Sequence, residues 1–179
     1  SCRASVLGGQ IGRGTGARLG FFFGQGEWKA PQVLKDELTS FVPRYVDILF
    51  SEQFRDEIVE VRIEGHTSSE YAGHRGPQAY MPNLKLSQRR TRHVVGLLMS
   101  VLRETGRSEE QREWLRSKLS ADGLSSARLV PLPGCVTSTA TSCEDERRSR
   151  RVSFRARTAS ERKIVKILRT LGESTGTPE

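Results

Sequence analysis

The sequence contains no hydrophobic run that reaches the roughly 20 apolar residues needed to cross a bilayer. Only 35% of its 179 residues are hydrophobic, while 28% are charged, and this balance is typical of a globular domain that faces water. A chain of this length is expected to form a single domain around one core, with extensions. We therefore expect that any membrane anchor lies outside this sequence.

Histidine and cysteine are also scarce, with three residues of each. His66, His74 and His93 do not have the spacing of metal ligands, and neither Cys135 nor Cys143 has a second cysteine or histidine at ligand spacing. No local signature supports a Ser-His-Asp or a Cys-His catalytic set. The sequence therefore predicts no metal, no cofactor and no enzymatic activity.

Aromatic residues make up only 7% of the chain, although its formal net charge is +8. Arginine is concentrated in the C-terminal part, at Arg147, Arg148, Arg150, Arg151, Arg155 and Arg157. Such a cluster can neutralise phosphates. A surface for single-stranded nucleic acid also needs interleaved aromatic rings, which this region lacks. We interpret the excess charge as a solvated basic surface and expect no nucleic-acid partner.

Two of the cysteines, Cys135 and Cys143, bracket a seven-residue interval rich in threonine and serine. The interval belongs to a predicted loop at residues 131–143. In an oxidising compartment the two thiols could close this loop as a disulfide. The sequence leaves a disulfide and two free thiols equally open.

The N-terminal region is rich in glycine, with eight glycines in the first 26 residues. No hydrophobic strand precedes these glycines and no helix follows them, so the context of a phosphate-binding loop is missing. We interpret residues 1–18 as a flexible lead-in. A short apolar strand is predicted next, at residues 19–23, and then a helix that ends at Phe50.

The central stretch carries the clearest pattern. Val59, Val61 and Ile63 alternate with charged residues, which predicts a strand with one buried face that ends at Gly65. A second helix is predicted from near Asn83, because apolar residues recur there at helical spacing. The end of the strand, the polar loop after it and the start of the helix are therefore expected to meet in one place.

The C-terminal half completes the predicted fold. Its expected elements are the end of the second helix near residue 103, a short helix that reaches Leu119, strands at residues 127–130 and 151–157, and a terminal helix and tail at residues 159–179. Ser108 and Gln111 mark the start of the short helix, because they fit a capping box. Helices interleaved with strands predict an α+β fold, a two-layer sandwich with a mixed sheet of about four strands and helices packed on one face.

Three ordered motifs carry a family resemblance. They are residues 65–68 (GHTS) at the strand end, residues 83–91 (NLKLSQRRT) in the second helix, and residues 149–152 (SRRV) before the last strand. Together they resemble the OmpA-like peptidoglycan-binding domain of outer-membrane OmpA proteins, the peptidoglycan-associated lipoprotein and the flagellar stator subunit MotB. The resemblance covers residues 19–158, within which residues 104–119 look like an insertion.

The resemblance implies a ligand, the meso-diaminopimelate of the peptidoglycan stem peptide, which the family holds with a carboxylate and an arginine. Arg90 stands where the family places that arginine. The candidate ligand-binding residues are Phe23, His66, Thr67, Ser68, Glu70, Asn83, Leu86, Arg90, Arg150 and Arg151. A ligand with one ammonium and one carboxylate needs an anion and a cation close together, and the fork of an arginine suits the carboxylate.

The sequence departs from the family at Ser68, where the family has the aspartate that receives the ammonium. A neutral hydroxyl forfeits the ion pair, so binding of the usual peptide is expected to be weaker. One explanation is that Glu70 replaces the missing aspartate as the anion, and another is that the domain binds a different or amidated peptide. A third is that the fold has lost this ligand and serves as a protein–protein interaction domain for an acidic partner.

The function implied by the resemblance is a non-catalytic module that anchors an envelope protein to the cell wall. We expect it in the periplasm of a Gram-negative bacterium, tethered to the inner or the outer membrane. Two contexts fit this function: an anchor of the outer-membrane or lipoprotein type, and the periplasmic part of a MotB-like stator. Relatives of such motors also occur in defence systems against phage. Stator-type members dimerise through this domain, so a homodimer is left open.

Overall fold

Four strands and four helices follow one another in the part of the chain that the computed structural model describes, residues 19–135 and 143–159. In chain order they are β1 (Leu19–Phe22), α1 (Gln32–Phe50), β2 (Ile58–Gly65), α2 (Pro77–Glu104), α3 (Glu109–Lys118), β3 (Leu119–Gly123), α4 (Glu146–Ser149) and β4 (Arg151–Thr158). The α+β class and the mixed four-stranded sheet are confirmed. The predicted lead-in at residues 1–18 and the predicted helix and tail beyond residue 159 lie outside the described residues.

The strands form one sheet in the order β1-β4-β2-β3. β4 pairs antiparallel with both β1 and β2, whereas β3 runs parallel to β2 at the edge. The alternation predicted for β2 places Val61 and Ile63 on the buried face, and both are fully buried. Glu60 and Arg62 lie on the other face, where they form an ion pair.

The core lies between this buried face and the helices. Leu38, Val42 and Val46 recur four residues apart along α1 and are fully buried, as helical spacing requires for a stripe that faces a sheet. Phe154 on β4 is the centre of an aromatic cluster, with its ring centroid 5.5 to 5.9 Å from those of Phe21, Phe41 and Tyr45. From α3, Leu115 is also fully buried in this core.

The second helix begins earlier than the sequence predicted. α2 starts at Pro77, not near Asn83, so Arg90 lies in the middle of the helix. The predicted start of this helix near Asn83 is therefore wrong. The sequence did contain a local signal for the true start, because Gly76 directly precedes Pro77, and a proline in the first helical turn loses no hydrogen bond. In the structure Gly76 has a positive φ of 66°.

The third strand is not where the sequence predicted it. Residues 127–130 contain no strand, and the strand is β3, which follows directly after α3. β3 contains Asp122 and Gly123 and has only partly buried or exposed side chains, so it lacks the apolar alternation of a half-buried strand. The capping box is confirmed, because Ser108 Oγ accepts from the Gln111 amide and the Gln111 side chain accepts from the Ser108 amide.

Two glycines let α2 approach the sheet closely. Gly65 ends β2 and pairs with Gly123 of β3. A Cβ atom at Gly65 would collide with the carbonyl oxygen of Ser87 and the hydroxyl of Thr91, and one at Gly123 would collide with Gln88. The helix therefore lies directly against the end of β2, where the GHTS motif begins.

Candidate functional site

A pocket of about 230 Å³ opens beyond the end of β2, between the loop after that strand, the first half of α2 and the turn after β1. The candidate residues that line it are Thr67, Ser68, Glu70, Asn83, Leu86, Arg90 and Arg150. The three sequence motifs therefore meet at one site. His66, Phe23 and Arg151 do not line this pocket.

Arg90 is fully buried and ties three chain segments together. Its Nε donates to the Glu27 carbonyl at 2.7 Å, its Nη1 to the His66 carbonyl at 2.8 Å and its Nη2 to the Gly24 carbonyl at 3.0 Å. A guanidinium has five N–H groups. Two therefore remain after these three bonds, and Arg90 both builds the wall of the pocket and presents positive charge to it.

Phe23 lies behind this guanidinium. Its ring is buried, and the Cζ atom of Arg90 stands 5.0 Å from the ring centroid, within the range of a cation–π contact. Burial first, and then the charge of Arg150, lower the pKa of Arg90 to about 10, against the opposing effect of Glu27. Arg90 therefore stays charged at neutral pH.

Glu70 is the one acidic side chain among the residues that line the pocket. Its Oε1 accepts from the Gly73 amide at 2.6 Å, and its Oε2 accepts from the Gln25 side chain. These two bonds hold the carboxylate between its own loop and the turn after β1. Each carboxylate oxygen can accept a further hydrogen bond, so an ammonium can still bind there.

Arg150 brings a second positive charge to the pocket. Its side chain is 16% exposed, and its Nη1 lies 3.5 Å from a carboxylate oxygen of Glu146. Its Nε is buried and has no hydrogen-bond partner. Compared with Arg90, whose three nitrogens each donate to a carbonyl, Arg150 has more capacity for an added carboxylate.

Two further buried polar atoms of the pocket residues have no partner, the hydroxyl of Thr67 and Oδ1 of Asn83. The other side-chain atom of Asn83, Nδ2, donates to the carbonyls of Ser68 and Glu70 at 3.1 and 3.3 Å and so fixes the loop. Buried polar atoms are nearly always paired in folded proteins. A polar ligand in the pocket would pair with these atoms.

Ser68 does not supply an anion. It is 2% exposed, and its hydroxyl makes only a long contact of 3.4 Å with the Glu70 carbonyl. Leu86 is buried with an edge on the pocket, where it forms apolar floor. The charges of the site thus come from Glu70, Arg90 and Arg150.

His66 and Arg151 belong to the framework beside the pocket. His66 is buried, and its Nε2 lies 3.1 Å from the hydroxyl of Ser153 on β4. Arg151 Nη1 donates to the Arg128 carbonyl at 3.3 Å. Both side chains therefore connect the sheet to its loops.

Several residues that shape the site were missed in the sequence. Gln25 and Gly26 line the pocket, although the signal for a turn was present in the glycines that follow the first strand. Glu144 is buried and accepts from the amide of Ser69 at 3.1 Å and from its hydroxyl at 2.6 Å. No sequence pattern links Glu144 to a loop 75 residues away.

A disulfide closes the loop that ends directly before Glu144. Cys135 and Cys143 are bonded, with their Cα atoms 5.8 Å apart, and Leu132 and Cys143 form a backbone hydrogen bond of 2.7 Å. Because Cys143 is the immediate neighbour of Glu144, the disulfide fixes the position of the carboxylate that holds Ser69.

We expect a thiol reagent, applied to the denatured but unreduced protein, to label Cys2 alone. After reduction it should label all three cysteines. Replacing Cys135 and Cys143 together with serine should lower the free energy of unfolding by about 2 kcal/mol, because the bond closes a short loop in the unfolded chain. Labelling of all three cysteines without reductant, followed by mass spectrometry, would show that the thiols are free.

The described residues contain no group of three or more histidine, cysteine, aspartate or glutamate side chains that could hold a metal ion. Within residues 19–135 and 143–159, none of the helices combines the length and the apolar character that a bilayer span requires.

Comparison with known proteins gives a clear relative. The chain is 37% identical to the Zorya protein ZorB of Escherichia coli (strain ATCC 8739) over 147 residues, which are 82% of this chain. The match spans 57% of ZorB, so the chain covers little more than half of that relative. No family model matches the chain.

Two solved structures were also found to be similar. The periplasmic domain of Helicobacter pylori MotB (residues 78–256) has a TM-score of 0.49 at 15% identity, over 91% of this chain and 88% of that one. The peptidoglycan-associated lipoprotein of Burkholderia pseudomallei has a TM-score of 0.48 at 17% identity, over 77% and 89% of the two chains.

This chain is a non-catalytic module of envelope type. Its three motifs occur in the order that the resemblance implies, its mixed sheet belongs to the expected class, and its sequence aligns with that of ZorB over 82% of its length. The chain is therefore a relative of the Zorya protein ZorB, and its motifs and its sheet are those expected of an OmpA-like domain.

Proposed function

We propose that this domain binds the stem peptide of peptidoglycan through its diaminopimelate residue and so anchors an envelope protein to the cell wall. The observation that carries the proposal is the charge set of the pocket, which places one carboxylate and two guanidinium groups around the same space. The free end of diaminopimelate carries one ammonium and one carboxylate. Each of these charges has a partner of opposite sign in the pocket.

In the proposed complex, Glu70 takes the place of the missing family aspartate and receives the ammonium. Arg150 binds the carboxylate, and the two free N–H groups of Arg90 support it. Asn83 Oδ1 and the Thr67 hydroxyl, which lack partners in the unliganded pocket, bond to the peptide groups nearby. The domain therefore does not need an acidic residue at position 68.

The test is a calorimetric titration of the folded chain with a diaminopimelate-containing stem peptide. Glu70→Gln and Arg150→Gln should each weaken binding about tenfold or more, because each removes a charge-assisted hydrogen bond of roughly 1.5 to 3 kcal/mol. The matched controls, Glu52→Gln and Arg147→Gln, alter exposed residues elsewhere and should leave the affinity unchanged. Equal affinity for the Glu70→Gln variant would refute the substitution of Glu70 for the aspartate.

The wider context follows from the relatives. We propose a periplasmic location, with the anchor to the inner or outer membrane supplied by parts of the protein outside this sequence. The similarity to ZorB supports a MotB-like arrangement over a free-standing lipoprotein. A homodimer belongs to this arrangement, and sedimentation of the purified chain would test it.

A second candidate function is a protein–protein interaction domain that has lost the wall ligand. The neutral Ser68 favours it, since this is the one position where the family charge is absent. The presence of Glu70 in the same pocket weighs against it. Failure of the unaltered chain to bind purified sacculi would decide for this second function.

A further inference from the structure

A second concave surface lies beside the proposed peptide pocket. This basin, of about 630 Å³, is formed by the segment after β1 and one face of α2. Its lining residues include Trp28, Arg89, Arg92 and His93. Of the three sequence motifs only the second reaches it, at Arg89, and the proposed binding of diaminopimelate does not use it.

The basin is strongly positive. The guanidinium of Arg89 lies 4.6 Å from the centre of the Trp28 ring, and the ammonium of Lys29 lies 5.4 Å from it. Trp28 thus gathers cations around one rigid ring, since a cation is attracted to the face of an indole. Arg92 adds a third charge at the same surface.

These cations have no anionic partners within the described part of the chain. None of the ion pairs found among residues 19–135 and 143–159 includes Lys29, Arg89 or Arg92. His93 also lacks a hydrogen-bond partner for its buried Nε2. Burial first, and then the positive charges of Lys35 and Lys29, lower the pKa of His93.

Neighbouring residues line the basin and the pocket. Gln25 and Gly26 line the pocket, whereas Trp28 lines the basin, so the same short turn separates the two. On α2, Arg89 lines the basin and its neighbour Arg90 lines the pocket. The basin and the pocket are therefore built from adjacent residues of the same two segments.

We propose that the basin binds the carboxylates of a second stem peptide of the same peptidoglycan layer. This inference rests on the proposed function, because it takes the first stem peptide to be in the pocket. Each stem peptide of the diaminopimelate type carries more carboxylates than ammonium groups, so it complements a cluster of cations without counter-ions. The domain then contacts the wall at two points, and their effects combine because the second contact is intramolecular.

The proposal is tested with the whole chain and its double variant Arg89→Gln plus Arg92→Gln. The charge-matched control is Arg44→Gln plus Arg103→Gln, which removes two exposed helix arginines that form no ion pair in the described part of the chain. Three probes are used: a monomeric stem peptide, purified sacculi, and vesicles that contain phosphatidylglycerol.

The basin variant should bind sacculi about threefold to tenfold more weakly than the unaltered chain, because it loses a multivalent electrostatic contact. Its affinity for the monomeric peptide should stay within about twofold, since the charges of the pocket are intact. The control variant should match the unaltered chain with all three probes. Binding of the unaltered chain to sacculi should also be more sensitive to salt than that of the basin variant.

Unchanged binding of sacculi by the basin variant would overturn the proposal, as would an equal loss in the control. A loss seen with the vesicles and not with sacculi would overturn it in favour of a lipid surface. If the unaltered chain binds neither peptide nor sacculi, the proposed function itself fails, and this outcome is distinct from a failure of the basin alone.

Discussion

Replacing Arg90 with alanine should lower the free energy of unfolding by about 3 to 5 kcal/mol. The substitution leaves the carbonyls of Gly24, Glu27 and His66 without this donor, of which the bond to His66 is buried, and it removes a cation from the face of Phe23. These groups belong to the turn after β1 and to the loop after β2. Chemical denaturation followed by circular dichroism measures the change.

Arg89→Ala is the matched control for that experiment. Arg89 is the neighbouring arginine on the same helix, but it is exposed and contacts only the ring of Trp28 among the interactions described above. Its loss should cost less than about 1 kcal/mol. Equal costs for the two variants would contradict the structural role of Arg90. Because this role is large, Arg90→Ala alone cannot serve as a test of ligand binding.

Replacing Gly65 with alanine should be similarly damaging, with a loss of about 3 kcal/mol. The new methyl group would meet the backbone carbonyl of Ser87 and the hydroxyl of Thr91, and the latter already bonds to the Asp122 carbonyl at 3.0 Å. Backbone in a helix cannot give way as a flexible side chain can. We expect α2 to shift away from β2, which would also displace Asn83 and weaken ligand binding.

Gly96→Ala provides the control for this second experiment. Gly96 lies on the same helix, and a Cβ atom at that position meets no atom within 4 Å. Alanine there should raise the free energy of unfolding by about 0.5 to 1 kcal/mol, because glycine is a poor helix former. Thermal unfolding of the two variants should therefore move in opposite directions. A stable Gly65→Ala variant would show that α2 and β2 are less tightly packed than the structure indicates.

The sequence predicted the central elements well, because their patterns are strong. In β2 the apolar Val61 and Ile63 alternate with charged residues and are both fully buried, and the capping box of α3 is a local signal. β3 was missed because Ser120, Asp122 and Gly123 give it no apolar face. It is a strand only because it lies beside β2, so tertiary context decided its structure and its own propensity did not.

The site was predictable to the extent that its motifs have fixed spacing. The motifs located Thr67, Asn83 and Arg90 at one pocket, although the burial of Arg90 was not visible in the sequence. The link from Glu144 to Ser69 joins residues 75 apart. Contacts over such a distance depend on how the loops pack, and no periodic pattern records them.

Binding of diaminopimelate through both of its charges requires that a ligand without one of these charges binds more weakly. The most direct measurement is a calorimetric titration of the unaltered chain with two stem peptides that differ at one residue, diaminopimelate in one and lysine in the other. Lysine keeps the ammonium but lacks the second carboxylate. We predict saturable binding of the diaminopimelate peptide and binding of the lysine peptide that is about tenfold weaker or worse, because Arg150 then loses its partner. Equal affinity for the two peptides, or no binding of either, would contradict recognition of diaminopimelate through both charges.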